Sequence, residues 1–501
     1  MVFGPKVKFN TYSVEEKRMK MTYGTDAKIS DMGVGRLLIT AVQQLLAIIT
    51  ATLVVPLIVG HDMSPAAALF GAGVGTLVYL LFTKFKSPVF LGSSFAFLGS
   101  MAAAFAGAST MALGYLGLII GAIMAGLVYV VIALLVKAIG VAWIDKLMPA
   151  AVIGPTVTII GLSLAGNAVG DLQSSGTGTG NVLICILIGL ITLFVTMICS
   201  TYGKKTLRLI PFVIGIACGY IVALIFTLIG KGAGNEALQI INFQPFKDLL
   251  TDGHVAFSTF ISVPKFTFLT AFGAFGELNG SYLVSIAAAY VPVAFVVFAE
   301  HLADHKNISS IIEKDLTKDP GLTRTLLGDG VGSMAGAFFG GCPNTTYGES
   351  IGCVAITKNA AVVTICATSF LAILISFLSP FVALVNTIPS CVMGGVCMAL
   401  YGFIAVSGLK MVKKVDLDKN RNLFTVSVIL IAGVGGLAIT FGKGKLSITF
   451  TEIAVALILG ILTNLALKRS REEGESAEVP EEEAKETAET VETVEEEEKK
   501  E

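Results

Sequence analysis

The chain has 501 residues, of which 54% are hydrophobic and only 14% charged, whereas a soluble domain carries about 25% charged residues. That deficit excludes an ordinary soluble enzyme or nucleic-acid binder, and blocks of apolar residues about 20 long point to a chain that crosses the bilayer repeatedly. The net charge of −1 conceals a basic body joined to an acidic C-terminal end.

In chain order, residues 1–30 are polar and lack the apolar core of a cleavable signal peptide, and residues 1–35 are expected to form a cytoplasmic N-terminal segment. Fourteen candidate spans follow, at about 37–60, 64–83, 89–106, 113–136, 148–168, 181–200, 209–229, 284–304, 322–340, 345–357, 360–380, 388–409, 422–441 and 449–467. Spans 3 and 10 are short and rich in small residues. Between spans 7 and 8, residues 231–283 form the longest loop, expected outside the cell, in which Phe257–Val263 and Phe266–Leu269 read as strands or surface helices. After span 14, residues 469–501 form an acidic tail. Residues 472–501 hold fifteen of the 36 acidic residues and three of the 35 basic ones; with almost no apolar face, this tail is expected to be disordered or loosely helical.

An even number of spans puts the two termini on one side, and Lys and Arg decide which. With both cytoplasmic, only Lys231, Lys247, Lys265, Lys443 and Lys445 fall outside. The expected location is therefore the plasma (inner) membrane, with both termini in the cytoplasm. The eight cysteines lie in or beside apolar blocks without metal-ligand spacing and read as small buried residues. No metal constellation, nucleotide loop or nucleophile–base pair is visible, so neither an enzyme nor a resident cofactor is expected.

The halves look related. Pro149-x-x-Val152-x-Gly154 in span 5 recurs as Pro389-x-x-Val392-x-Gly394 in span 12, and Leu91-Gly92-Ser93-Ser94-Phe95 opens span 3 as Pro343-Asn344-Thr345-Thr346-Tyr347 opens span 10. Seven is odd, so the halves have opposite orientations, which makes a seven-plus-seven inverted repeat. A helix that spans only half the bilayer leaves its first amides unpaired at mid-depth. Two such ends facing each other create a polar pocket of positive dipole character. Extended residues before each half-helix can pair across it, and the Ser93, Ser94, Thr345 and Thr346 hydroxyls could satisfy the freed backbone.

An ionisable residue deep in a span is a functional candidate by default. Glu300 ends an apolar run late in span 8, Asp304 lies one turn further on the same face, and Glu349 sits in the first turn of span 10. Gln43 and Gln44 occupy the first half of span 1, and His301 and His305 lie at the expected boundary of span 8. Asp329 in span 9 is assigned no role, and Asp171 reads as an ordinary loop residue. Two carboxylates, free backbone amides and a nearby aromatic suit a flat neutral ring with donors and acceptors on its edge. No Lys or Arg appears at mid-span, so a strongly anionic substrate fits poorly.

The run Pro343-Asn344-Thr345-Thr346-Tyr347-Gly348-Glu349-Ser350 and its continuation to Lys358 resembles the signature of the nucleobase/ascorbate transporter family, in its uracil permease branch. Ala299-Glu300-His301, Lys314 to Gly321, Gly92 to Phe97 and Ile388 to Gly395 add to the resemblance, which covers about residues 35–468. It implies an all-α membrane protein of fourteen spans. Residues 36–136 (spans 1–4) and 284–380 (spans 8–11) would make a core domain. Residues 137–230 (spans 5–7) and 381–468 (spans 12–14) would make a gate domain through which members form homodimers. It also implies proton symport of a nucleobase by alternating access, with Glu300 and Glu349 holding the base, backbone groups at Phe95 and Gly348, and the Phe95 ring alongside. Ser94 and Tyr347 complete the expected binding set. Glu300, Glu349 and Asp304 are the expected proton-coupling groups, supported by Gln43, Gln44 and Ser350, and sodium is the alternative ion. The Gly-Glu pair resembles the uracil branch; the purine branch, carrying xanthine or urate, usually has Gln-Asn, and a same-fold anion transporter is the remaining alternative. Three positions depart from the family pattern: Gln44 and Asp304 replace histidines, and Ser350 an asparagine. A histidine titrates near neutral pH without help, so these changes leave the proton route open.

Overall fold

The computed structural model describes residues 21–204, 206–250, 254–442 and 448–467. The acidic tail and residues 1–20 of the N-terminal segment lie outside the described residues. A helix stands at each of the fourteen expected places: α1 (Val34–Val59), α2 (Pro65–Phe82), α3 (Leu98–Ala106), α4 (Met111–Ile139), α5 (Ala150–Ser163), α6 (Val182–Tyr202), α7 (Pro211–Ala233), α8 (Gly280–Ile312), α9 (Leu322–Gly340), α10 (Gly348–Thr357), α11 (Val362–Ser376), α12 (Ser390–Val412), α13 (Asn420–Val434) and α14 (Glu452–Ala466). Strands β1 (Leu91–Ser93) and β2 (Asn344–Thr346) precede α3 and α10, and a hairpin of β3 (Ile439–Phe441) and β4 (Ile448–Phe450) separates α13 from α14.

The starts are written locally. Ser64 accepts from the Ala67 amide at 3.2 Å with Pro65 next to it, Thr110 accepts from Leu113 at 3.2 Å, and Asn279 accepts from Tyr282 at 2.9 Å. Each satisfies an amide that has no partner within its helix. Gly140 and Gly234, at φ 76° and 65°, end α4 and α7 in a conformation that costs glycine little.

Among the described residues, eight helices are long and apolar enough to cross a membrane, not fourteen: α1, α2, α4, α6, α7, α8, α12, and α5 taken with its continuation to Leu172. The others fall short for separate physical reasons. The ten residues of α10 rise about 15 Å, half of a hydrocarbon core about 30 Å thick. With 15 residues each, α11, α13 and α14 rise about 22 Å. The length of α9 is sufficient, but it carries Arg324, Asp329 and many glycines. The expected span to residue 441 breaks at Gly435–Gly436, and its last residues form β3 instead.

Two other expectations change, at α8 and at Asp171, and between strands and surface helices the long loop takes the helices. α8 continues two turns past residue 304, because Ser309 and Glu313 close it only after Ile312. Residues 231–283 hold short helices, including Thr267–Ala271, and an isolated bridge of Ile261 to Leu378. Phe266 and Phe268 fold this loop back onto Phe338 and Phe339 of α9. Asp171 belongs to a short helix, Ala165–Leu172, rather than to a loop.

The packing repeats itself after seven helices. α2 lies against α9, and α5 against α12. α4 meets α8 and α9 as α11 meets α1 and α2. α6 packs on α7 and α12 as α13 packs on α14 and α5. The crossing of α2 on α9 is close: a Cβ at Gly75 would stand 2.6 Å from the Gly332 carbonyl oxygen and one at Gly71 2.5 Å from that of Gly336. Only hydrogen side chains permit that approach. Beyond the helices, residues 22–25 strap the α10–α11 link, with Ala360 N donating to Tyr23 O at 2.9 Å. Lys314 Nζ lies 2.8 Å from Asp26 Oδ2 and holds that exposed carboxyl below its ordinary range.

Candidate functional site

The α2–α9 crossing positions the two strands. Asn344, at the start of β2, reaches into it and donates to Gly71 O at 3.1 Å, while Thr76 of α2 accepts from Leu91 N at 2.9 Å. β1 and β2 then pair antiparallel, Leu91 opposite Thr346 and Ser93 opposite Asn344. The ladder is extended by Ser94 N donating to Pro343 O at 2.9 Å and Tyr347 N donating to Phe90 O at 3.2 Å. This is the cross-pocket pairing expected from the extended runs. The freed backbone is not satisfied by the hydroxyls expected to do so: Ser94 Oγ and Thr345 Oγ1 are buried without partners. Instead Tyr347 Oη donates to Ser93 O at 2.7 Å, and Ser350 Oγ accepts from Phe90 N at 3.0 Å.

Beyond the ladder the chain turns into two helical ends facing one space. Phe95–Phe97 forms a 3-10 turn leading into α3, and Tyr347 precedes α10; neither end has a side-chain cap. Their first amides therefore remain available as donors, with positive dipole character behind them. A cavity of about 410 Å³ lies at these ends. One wall carries Phe95, Thr346, Tyr347, Gly348, Glu349 and, from α8, Glu300 and Asp304; the other is apolar, with Val157 and Ile160 of α5, Phe212 of α7 and Phe403 of α12. Three carboxylates and no Lys or Arg line it. Glu300 is exposed to the cavity, and Asp304 accepts from Thr346 Oγ1 at 2.7 Å. The Phe95 ring stands edge-on to Tyr401, 6.1 Å between centroids.

Of the residues singled out from sequence, Glu300, Glu349, Asp304, Phe95, Gly348 and Tyr347 meet at this cavity. Ser94 is buried behind Phe95 and does not line it. Gln44 and Ser350 do not line it either; they bond to each other, Gln44 Nε2 to Ser350 Oγ at 2.5 Å and to Ser350 O at 3.2 Å. Gln43 faces a different cavity.

A buried polar chain on the far side of α8 was not legible as such. His301 and His305 are not at a helix boundary but inside α8, fully buried and stacked at 4.0 Å. His301 Nδ1 lies 2.7 Å from Asp329 Oδ2 and its Nε2 3.1 Å from Thr325 Oγ1. His305 Nε2 lies 2.7 Å from Tyr79 Oη, which donates to Ser87 Oγ at 2.6 Å. Asp329 met the same criterion that singles out Glu300, an acid within a span, and that signal could have found it. The chain ties α8 to α9 and α2 and so fixes the helix that carries Glu300 and Asp304.

A family model described as "Permease family" (Xan_ur_permease) matches residues 35–441. The uracil permease of Bacillus subtilis (strain 168) is 38% identical over 438 residues, covering 86% of this chain and 93% of that protein. The uracil permease of Bacillus caldolyticus is 37% identical, covering 88% and 94%. Among solved structures, the transmembrane domain of the cyanobacterial bicarbonate transporter BicA superposes with a TM-score of 0.56 at 15% identity, over 87% of this chain and 99% of that one. That last likeness concerns the fold.

Proposed function

The chain belongs to the xanthine/uracil permease family, and on that premise we propose that it is a secondary transporter that imports uracil. The cavity between the half-helix ends carries this proposal. Its carboxylates, Glu300 and Glu349, can accept the ring N–H groups, the free amides near Phe95 and Gly348 can bind the carbonyls, and the Phe95 ring can cover one face. A cavity holding three carboxylates and no cation would repel an anion, which weighs against an anion transporter built on the same fold. The 38% identity to a uracil permease, together with Gly348-Glu349, favours uracil over a purine.

In this proposal the chain makes fourteen passes as a seven-plus-seven inverted repeat, with both termini cytoplasmic. The recurrence of helix contacts after seven helices and the antiparallel β1–β2 pair support it. Helices α1–α4 and α8–α11 form the core domain, and α5–α7 and α12–α14 form the gate and the homodimer contact. The cavity lies between one polar core wall and one apolar gate wall, a surface along which the two can slide. Uracil and a proton enter from outside, the core moves against the gate, and both leave to the cytoplasm. Protonation of one of the three facing carboxylates relieves their mutual repulsion when the site closes, so the loaded state is the one that moves.

Uptake of labelled uracil into proteoliposomes tests this. An inward proton gradient should drive uptake that excess unlabelled uracil blocks and xanthine does not. Uptake driven by a sodium gradient alone would replace the ion, and transport of xanthine without uracil would replace the substrate.

A further inference from the structure

A second and larger cavity, about 940 Å³, opens beside the first turn of α1. Tyr23, Arg36, Gln43, Arg208, Thr357 and Asn359 contribute to its wall, and no Asp or Glu does. Its two guanidiniums come from separate elements: Arg36 from α1, and Arg208 from the short helix Thr206–Leu209 that leads into α7. Among the described residues neither has a carboxylate partner. Nearby, Lys86 and Lys314 each meet an aspartate, at 2.6 and 2.8 Å. Arg36 is fixed without being neutralised, because its guanidinium sits over the Tyr23 ring at 5.2 Å. Tyr23 is held in turn by the strap, where Thr22 N donates to Lys358 O at 2.8 Å and Ala360 N to Tyr23 O at 2.9 Å.

Both guanidiniums are exposed at the rim of the cavity, and among the described residues no carboxylate offsets them, so an anion bridging the two would gain from both charges at once. Guanidinium forks with neutral hydroxyl and amide donors suit an oxyanion with several oxygens better than a lone carboxylate. We propose that this cavity binds a phosphate-bearing anion and that its occupation slows transport. The link to the transport site is short. Gln43 neighbours Gln44, which bonds Ser350 in the first turn of α10, and Thr357 and Asn359 stand at the other end of that helix. An anion held by Arg36 and Arg208 ties α1 to the segment entering α7. The effect on transport rests on the assignment of those elements to two domains that move against each other; the binding of the anion does not.

The test uses the purified full-length chain, with inorganic phosphate as the soluble probe and vesicles of phosphatidylcholine, with or without phosphatidylglycerol, as the lipid arm. Equilibrium dialysis should show saturable phosphate binding that Arg36→Gln with Arg208→Gln weakens on the order of tenfold or more, while lysine at both positions retains part of it. Uracil uptake by the unmodified chain should slow severalfold with phosphate on that face or with phosphatidylglycerol present, and the double variant should ignore the effective agent. A response to phosphate identifies a soluble ligand and a response to phosphatidylglycerol alone a headgroup. Equal behaviour of the two chains in dialysis and in both uptake arms would overturn the proposal. Dialysis reads the site even if uracil proves not to be the cargo.

Discussion

In the proposed transport site three residues on two helices carry the chemistry, and their surroundings differ enough to separate their roles. Glu300 has no side-chain partner within the described residues and faces the cavity, so a ring N–H is the natural ligand for it. Replacing Glu300 with Gln removes the charge and turns one of two acceptor oxygens into a donor. The expected cost of about 2–3 kcal/mol for a charged hydrogen bond is on the order of a hundredfold in uracil affinity, measurable by equilibrium binding. Asp304 already accepts from Thr346 at 2.7 Å and lies one turn away. Asp304→Asn is expected to keep binding within severalfold and to lose the acceleration of uptake by a proton gradient; retention of that acceleration would remove Asp304 from the proton route. Two of the three departures from the family pattern prove to be one feature, because Gln44 and Ser350 are in contact. Ser350 also accepts from Phe90 N just before β1. Ser350→Ala therefore leaves the buried Phe90 N–H unpaired, at about 1–3 kcal/mol, and Gln44 Nε2 with only its bond to Ser350 O, and thermal unfolding should show a clear loss of stability alongside weaker uracil binding.

At the scale of elements, the half-helices exist because the α2–α9 crossing is close enough to anchor β1 and β2 to one another. Gly75 and Gly332 allow the backbones to approach, and the Asn344 amide occupies the remaining space. Gly75→Leu is expected to drive the helices apart and to eject the Asn344 side chain from its bond to Gly71 O. Overpacking of this kind costs about 1–3 kcal/mol or more. The variant should unfold at lower temperature and lose uracil binding though no residue of the cavity has changed. Normal binding in a stable variant would mean that the crossing does not position the site. The short length of α10 fits the same arrangement: in the proposed topology a strand is spent on pairing at mid-depth, and ten residues are enough to reach one face.

For the whole molecule, the distribution of Lys and Arg and the repeat of helix contacts support one topology. In the proposed fourteen-pass topology Lys247 lies outside and Lys413 in the cytoplasm. In a chain freed of its eight cysteines, Lys247→Cys should react with a membrane-impermeant maleimide on intact cells, and Lys413→Cys only after permeabilisation. Reaction of both on intact cells would break the fourteen-pass proposal, whatever the substrate.

The membrane class, the places of the helices, the paired strands ahead of two short helices and the choice of Glu300, Glu349 and Asp304, which prove to line one cavity, follow from the sequence by itself. Each depends on local rules: a run of apolar residues must cross the bilayer, and a charge inside such a run must serve some purpose. Tertiary structure alone decided which polar groups satisfy one another. Ser94 and Thr345 look equivalent to Thr346 in sequence, yet only Thr346 reaches a carboxylate. His301 and His305 look like a helix end, yet they stack in the interior against Asp329 and Tyr79. Gln44 and Ser350 are 306 positions apart and meet. The physical reason is that a hydrogen bond between distant positions depends on the rotation and crossing of whole helices, to which hydropathy and charge are blind.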